Sequence, residues 1–168
     1  MFGITLAKRP HNFRVIDDYV SRSAMPTSER NMKWLKKHGV TAIVNLRQSG
    51  SLYHGGTERA AAEKYGIRYF HIPLDPRHLH DEQADHFLDI VEGVKQEGGH
   101  VHFHCRHGSD RTGAMAWIYK QRNGIGEMSE NEREMRSMGH EGAELPMLVN
   151  WVKDYLYKDW GGRPQGRL

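Results

Sequence analysis

Cysteine is almost missing from this chain: among 168 residues only Cys105 carries a thiol. An internal disulfide is excluded, and a nucleophilic Cys105 has no second thiol to resolve an oxidised form. Long hydrophobic runs are missing too. No stretch approaches the ~20 apolar residues of a membrane span. Phe2–Ala7 is too short for a secretory core, and Lys8-Arg9 follows it rather than preceding it. The chain reads as cytoplasmic, or periplasmic if a leader has been removed. Charge of one sign is only slightly in excess, 24 Lys and Arg against 21 Asp and Glu for a net +3. That suits an anionic substrate without demanding nucleic acid, and no basic run or repeat stands out. The remainder, 38% hydrophobic and 27% charged, is ordinary for a single globular domain over residues 1–168.

What is present is concentrated in His104-Cys105-Arg106-His107-Gly108-Ser109-Asp110-Arg111-Thr112-Gly113. Val101–His104 before it reads as a short buried strand. Thr112–Tyr119 after it reads as a helix with one apolar face. A strand-to-helix loop can turn its N–H groups inward on one point, and the helix N-terminus adds partial positive charge there. A cysteine placed first in that loop puts its sulfur at the bottom of an anion cup, where the same field favours the thiolate. Arg111 closes the ring with a planar fork suited to two phosphate oxygens. Thr112 can give its hydroxyl to the sulfur. The parts suit nucleophilic attack on a phosphoryl group.

Cys105 to Thr112 fits Cys-x5-Arg-Ser/Thr, and this stretch resembles the signature loop of the protein tyrosine and dual-specificity phosphatase superfamily. The fuller form, His-Cys-x-x-Gly-x-Asp-Arg-Thr-Gly, is similar to the small bacterial dual-specificity-like group. Tyr19–Pro26, Val44–Arg47, Glu134-Met135 with Gly139-His140, and Leu145-Pro146 extend the likeness from about Phe13 to about Leu156. The resemblance implies a metal-independent cysteine phosphatase that needs no cofactor. It implies Cys105, Arg111 and Thr112 in catalysis, phosphate held by Arg106, His107, Gly108, Ser109, Asp110 and Arg111, and His104 bracing the loop.

The rest of the chain supplies alternating strands and helices. Phe13–Ile16 and Tyr19–Ala24 read as strands divided by a turn at Asp17-Asp18. A helix follows from Pro26 to Gly39, capped by Thr27 or Ser28, with Met32 and Leu35 inward. Val40–Leu46 reads as a central strand buried on both faces. Arg47–Gly56 reads as a polar loop at its carboxyl end, where Arg47 either reaches a substrate phosphate or pairs with an acid. Thr57 opens a short helix, and Ile67–Ile72 is the next strand. Asp81 caps a helix with Ala84, Phe87, Leu88 and Val91 on one face. Ser129–Glu132 forms a capping box for a later helix, and Pro146 sits in the first turn of the last. Residues 1–12 read as a loose segment and 161–168 as a frayed tail. The pattern is α/β, a mostly parallel sheet flanked by helices, as the resemblance also implies.

Two further questions stay open in the sequence. His100, His102 and His104 share one strand face, which raises a metal site, but no Cys or carboxylate cluster stands close enough in sequence to complete one. The leaving oxygen needs a proton. The resemblance implies an acid loop where Asp75 stands, 30 residues before Cys105 (105 − 75); Asp81 and Asp110 are the other candidates. As substrates, phosphotyrosine or mixed protein phosphoesters come first. Inositol phosphates follow, weakened because Ser109 replaces the lysine frequent in relatives acting on them. RNA 5′-phosphates come third, with no specific nucleic acid expected. A phosphate-binding module without turnover is the non-enzyme alternative. Nothing in the sequence fixes an oligomeric state.

Overall fold

Asp17 and Asp18 turn the chain back on itself between β1 (Arg14–Val15) and β2 (Val20–Ala24), which pair antiparallel. Asp17 Oδ1 accepts the Tyr19 N–H at 2.8 Å, closing the turn with its own side chain. The computed structural model describes residues 6–48, 52–53, 56–139 and 142–159. After β2 come α1 (Glu29–Lys37), β3 (Ala42–Asn45), and a small hairpin of β4 (Leu52–Tyr53) and β5 (Gly56–Thr57). Then follow α2 (Glu58–Lys64), β6 (Arg68–His71), α3 (Asp81–Gln96) and β7 (Val101–Cys105). Three helices complete the chain: α4 (Asp110–Arg122), α5 (Met128–Met138) and α6 (Glu144–Asp159). Among the described residues no helix is long and apolar enough to cross a membrane.

The main sheet runs β1-β2-β7-β3-β6, with every pairing parallel except β1 with β2. This is the mostly parallel α/β sheet expected. Side-chain alternation along β7 sorts its two faces. Val101, Phe103 and Cys105 share one face with Val20, Ala42 and Val44, and pack into the larger core with Phe87, Val91 and Met115. Phe87 meets Phe103 edge-on at 5.0 Å, fastening α3 to β7. On the opposite face Ile43 joins Met32 and Leu35 of α1 and Ala62 of α2 in a smaller cluster. His102 and His104 fall on that second face, so its middle is polar.

Because β2, β7, β3 and β6 are parallel, their carboxyl ends lie along one edge. Ala24 pairs with Cys105 and Asn45 with both His104 and His71. The segments that follow these strands begin at Met25, Arg106, Leu46 and Ile72, and therefore emerge together. That edge is where open α/β sheets hold ligands.

Several expectations shift. The helix expected to be apolar on one side only is buried all round: every residue from Thr112 to Tyr119 is buried. It is central because α5 and α6 close over it; a Cβ on Gly113 would stand 3.2 Å from Met135 Cγ. Asp81 is not the cap of α3. That position belongs to His80, whose N–H is accepted by Gln83 Oε1 at 2.8 Å. Asp81 instead accepts Trp151 Nε1 and Lys158 Nζ, each at 3.2 Å, and so ties α3 to α6. The capping box of α5 lies two residues earlier than expected, with Glu130 reaching back to the Glu127 N–H at 3.0 Å. At α1 the cap is Ser28, but Asn31 Oδ1, not a hydroxyl, receives the Thr27 N–H at 3.0 Å.

The first residues are not loose where they are described. Lys8 donates its N–H to Arg30 O at 3.1 Å, and Asn31 Nδ2 donates to Lys8 O at 2.8 Å, laying the segment along α1. The polar loop after β3 contains the β4–β5 hairpin, a pairing too short to leave a sequence signal. The tail 161–168 and His140 lie outside the described residues.

Candidate active site

Cys105 is the last residue of β7 and only 5% exposed. Four residues, Arg106 to Ser109, then carry the chain into α4, whose cap position is Ser109. Gly108 turns the loop with φ 73. A Cβ there would come within 2.5 Å of Ala24 N and Ser23 C, so glycine is required by both backbone conformation and space. Arg106 and His107 are exposed at the rim, while Gly108 and Ser109 are buried against β2. Asp110 occupies the first helical position, its carboxylate next to Gly139: a Cβ on that glycine would stand 3.2 Å from Asp110 Oδ1.

Arg111 follows, one residue into α4. Its Nη2 lies 3.8 Å from Glu144 Oε2 at the start of α6, and its buried Nε has no hydrogen-bond partner among the described residues. Thr112 Oγ1 is also buried without a partner among the described residues. The expected hydroxyl-to-sulfur bond is therefore not formed in this structure; the hydroxyl sits in the buried layer of α4.

His104 braces the loop from behind. Its Nδ1 lies 3.2 Å from Cys105 O, and its Nε2 lies 2.5 Å from Glu58 Oε1. Both side chains are inaccessible. Glu58 was not among the expected site residues, because in the sequence it reads as an ordinary acid in a first helical turn. Its helix is set by Thr57, whose hydroxyl accepts the Ala60 N–H at 3.1 Å.

His102 of β7 and His100 just before it are committed to protein partners. His102 lies between Ser21 Oγ at 2.9 Å and Ser23 Oγ at 2.7 Å, stacked on Phe13. His100 lies 2.8 Å from Ser21 Oγ and 3.0 Å from Asp18 O. Burial, reinforced by His104 and His100, holds the His102 imidazole well below its ordinary range, in the neutral form.

Arg22 is the second unforeseen member. Although 2% exposed, it lies on the Cys105 face of the sheet and donates Nη2 to Gly108 O at 2.8 Å. Its Nη1 is 3.8 Å from Glu134 Oε1. Burial lowers the guanidinium to about 10, with Glu134 and Cys105 opposing that shift, so it stays charged at neutral pH. The signal was its place in Val20–Ala24, where period-two alternation points residue 22 inward with Val20 and Ala24.

Arg47 and Asp75 stand at the same sheet edge. Among the described residues Arg47 contacts a sulfur rather than an acid, Nη1 to Met25 Sδ at 2.7 Å. Met25 in turn donates its N–H to Arg106 O at 3.2 Å, which places Arg47 beside the cysteine loop. Asp75 is folded into a local turn. Its Oδ1 accepts the Arg77 N–H at 3.0 Å and its Oδ2 lies 3.2 Å from His78 Nδ1. These bonds, the backbone one first, hold the carboxyl below the usual carboxylate range.

The same architecture occurs in known phosphatase structures. TpbA from P. aeruginosa in complex with pTyr matches with a TM-score of 0.73, over 96% of this chain and 98% of that one, at 19% identity. The core catalytic domain of the PP-IP phosphatase Siw14 from S. cerevisiae, in complex with citrate, matches with 0.73 over 94% and 98% at 15% identity. Tk-PTP in its active form matches with 0.68 over 85% and 97% at 24% identity. At such identities what is shared is the fold. The sequence itself goes further: a family model described as DSP-PTPase phosphatase fused to NAD+ kinase matches residues 16–151, from the β1–β2 turn through the cysteine loop into α6. The chain belongs to that family of dual-specificity-like phosphatases.

Proposed function

We propose that this chain hydrolyses phosphomonoesters through a covalent phosphocysteine, acting on phosphotyrosine or mixed protein phosphoesters. The observation that carries it is the buried Cys105 at the end of β7, followed by a four-residue loop, Arg106 to Ser109, that leads into α4, whose first turn carries Arg111. The Cys105 thiolate attacks phosphorus and the P–O bond to the leaving group breaks. Arg111 and the N–H groups of residues 106–111 hold the three non-bridging oxygens. Asp75 delivers a proton to the leaving oxygen, which requires its turn with Arg77 and His78 to open and the loop to swing over the site. Water then attacks the phosphocysteine while giving a proton to the Asp75 carboxylate; the S–P bond breaks, releasing phosphate and restoring the thiolate and the acid. The Thr112 hydroxyl, which does not bond the sulfur in this structure, turns to it as the donor when the sulfur departs.

Siw14, described as a PP-IP phosphatase, and the exposed rim residues Arg106 and His107 support a second reading in which the substrate is an inositol phosphate. A phosphotyrosine peptide, an inositol phosphate panel and a 5′-triphosphate RNA, each assayed with chelator present, separate the readings. Preferred turnover of the peptide supports the first, and turnover confined to another arm replaces it. Cys105→Ser should abolish turnover and retain binding. Phosphate bound by the wild type with no hydrolysis of any arm would leave a binding module and sink the enzyme reading.

A further inference from the structure

Three consecutive carbonyl groups of the cysteine loop are held from outside it. Met25 N–H donates to Arg106 O at 3.2 Å, Asn12 Nδ2 to His107 O at 3.2 Å, and Arg22 Nη2 to Gly108 O at 2.8 Å. In a trans peptide the C=O of one residue and the N–H of the next point in opposite directions. No described peptide is cis. Drawing these three carbonyls toward β2 and the N-terminal segment therefore turns the N–H groups of His107, Gly108 and Ser109 the other way. Successive N–H groups facing one side form a concave donor set for an anion.

Two of the three holders are side chains that lie far from the loop in sequence. Asn12 has φ 54, the only positive φ among the described non-glycine residues. Asparagine enters that region more readily than most residues, yet it persists only where the surroundings fix it. Here the fixing contact is next door: His11 O accepts the Ala24 N–H at 3.0 Å, at the end of β2. Arg22 is almost wholly buried and its Nε has no partner among the described residues. An apolar side chain would fill that inward position of β2 with less desolvation. What arginine adds is the donor to Gly108 O and a positive charge behind the loop.

We propose that Asn12 and Arg22 are positioning residues of the phosphate loop, holding the His107 and Gly108 carbonyls outward so that the Gly108 and Ser109 N–H groups converge on the phosphoryl group. The inference rests on the phosphatase reading above and assigns a task to residues outside the signature loop.

The test uses the full chain as Asn12→Gly, Asn12→Asp, Arg22→Met and Arg22→Lys. Glycine accepts the left-handed backbone at residue 12 and removes the donor, whereas aspartate keeps the shape and removes the donor. Methionine fills the space of Arg22 without donor or charge, and lysine restores one charged donor. Three quantities are read: inhibition of aryl phosphate hydrolysis by inorganic phosphate, protection of Cys105 by phosphate against iodoacetate, and thermal melting. Phosphate binding should weaken about tenfold in both Asn12 variants and in Arg22→Met, the scale of one hydrogen bond to a charged group. Arg22→Lys should recover part of the loss, which a purely structural role would not produce. Phosphate affinity within about twofold of wild type in Asn12→Gly and Asn12→Asp, against the effect expected of a lost bond, overturns the role of Asn12. Equal weakening in Arg22→Lys and Arg22→Met overturns that of Arg22. Should Arg22→Met fail to fold, wild-type phosphate affinity in Arg22→Gln overturns the role of Arg22 and weakening there supports it. A wild type that hydrolyses no aryl phosphate defeats the phosphatase reading by itself, because protection of Cys105 still measures the loop in every variant.

Discussion

Glu58 Oε1 and His104 Nε2 meet at 2.5 Å across 46 residues of sequence, with both side chains shut off from water. The pair stands directly behind Cys105, whose carbonyl is the other neighbour of the His104 ring. Removing one member of a buried pair strands the other, so Glu58→Ala should cost roughly 3–5 kcal/mol of stability. Glu58→Gln keeps an acceptor oxygen and should cost about 1–2 kcal/mol. Urea unfolding of the two variants checks this, and equal losses would show that the hydrogen bond is not what matters.

Gly108 and Gly124 offer a matched comparison. Both have positive φ, 73 and 66, but a Cβ at Gly124 meets nothing within 4 Å whereas one at Gly108 runs into the β2 backbone. Gly124→Ala should lose only the conformational term, about 1–2 kcal/mol. Gly108→Ala adds an overpacking cost of about 1–3 kcal/mol and should lose phosphate binding as the loop is pushed off Ser23 and Ala24. Denaturation midpoints and phosphate inhibition measured side by side decide whether the close approach to β2 matters.

His102 predicts a pH dependence with a definite sign. The folded state holds this ring below its ordinary 6.5, mainly through burial. Below that pH the unfolded chain takes up a proton that the folded chain refuses. Stability is therefore lost as pH falls from 6.5 toward the folded value, by at most about 1.4 kcal/mol per pH unit from this residue. NMR of the His102 ring should show it neutral at pH 6, and His102→Gln should flatten the stability profile below pH 6.5. A ring that titrates near 6.5 in the folded protein refutes the assignment.

The proton donor is decided by three substitutions. Asp75→Asn should lower turnover of phenyl phosphate by 10²–10⁴-fold and cost far less on a nitrophenyl ester, whose leaving group needs no proton. Asp81→Asn should act on stability, since Asp81 joins Trp151 and Lys158. If instead Asp110→Asn carries the leaving-group-dependent loss and Asp75→Asn does not, the acid lies in the cysteine loop beside Gly139.

Much of this was legible in the sequence because the relevant signals are local. The β-branched and apolar run Val40–Leu46 located β3, short strand-like stretches between turn residues located β2 and β7, and the spacing from Cys105 to Arg111 located the loop. Contacts made across the sheet were not legible. Arg22 and Glu58 join the site only because β2 lies beside β7 and α2 lies below it: alternation along β2 turns residue 22 inward without telling what it meets, and Glu58 has no local pattern that announces its place. The caps failed for a related reason. Asp81 is a good cap by type, but a tertiary pull from Trp151 and Lys158 outbids the local preference, and His80 takes the position. Asn12 was hidden because a single left-handed residue in a polar segment carries no periodicity.

The all-round burial of α4 divides the site mechanically. A helix enclosed from Thr112 to Tyr119 cannot slide or rotate without breaking the core that encloses it. The floor of the phosphate loop, which is the first turn of that helix, is thus stationary. Adjustment to substrates of different shape falls to the walls: the turn holding Asp75, and the start of α6, where Glu144 faces Arg111. Mutations that alter which phosphoester is accepted should therefore gather in those walls, whereas changes in the floor should appear as loss of folding or of phosphate affinity.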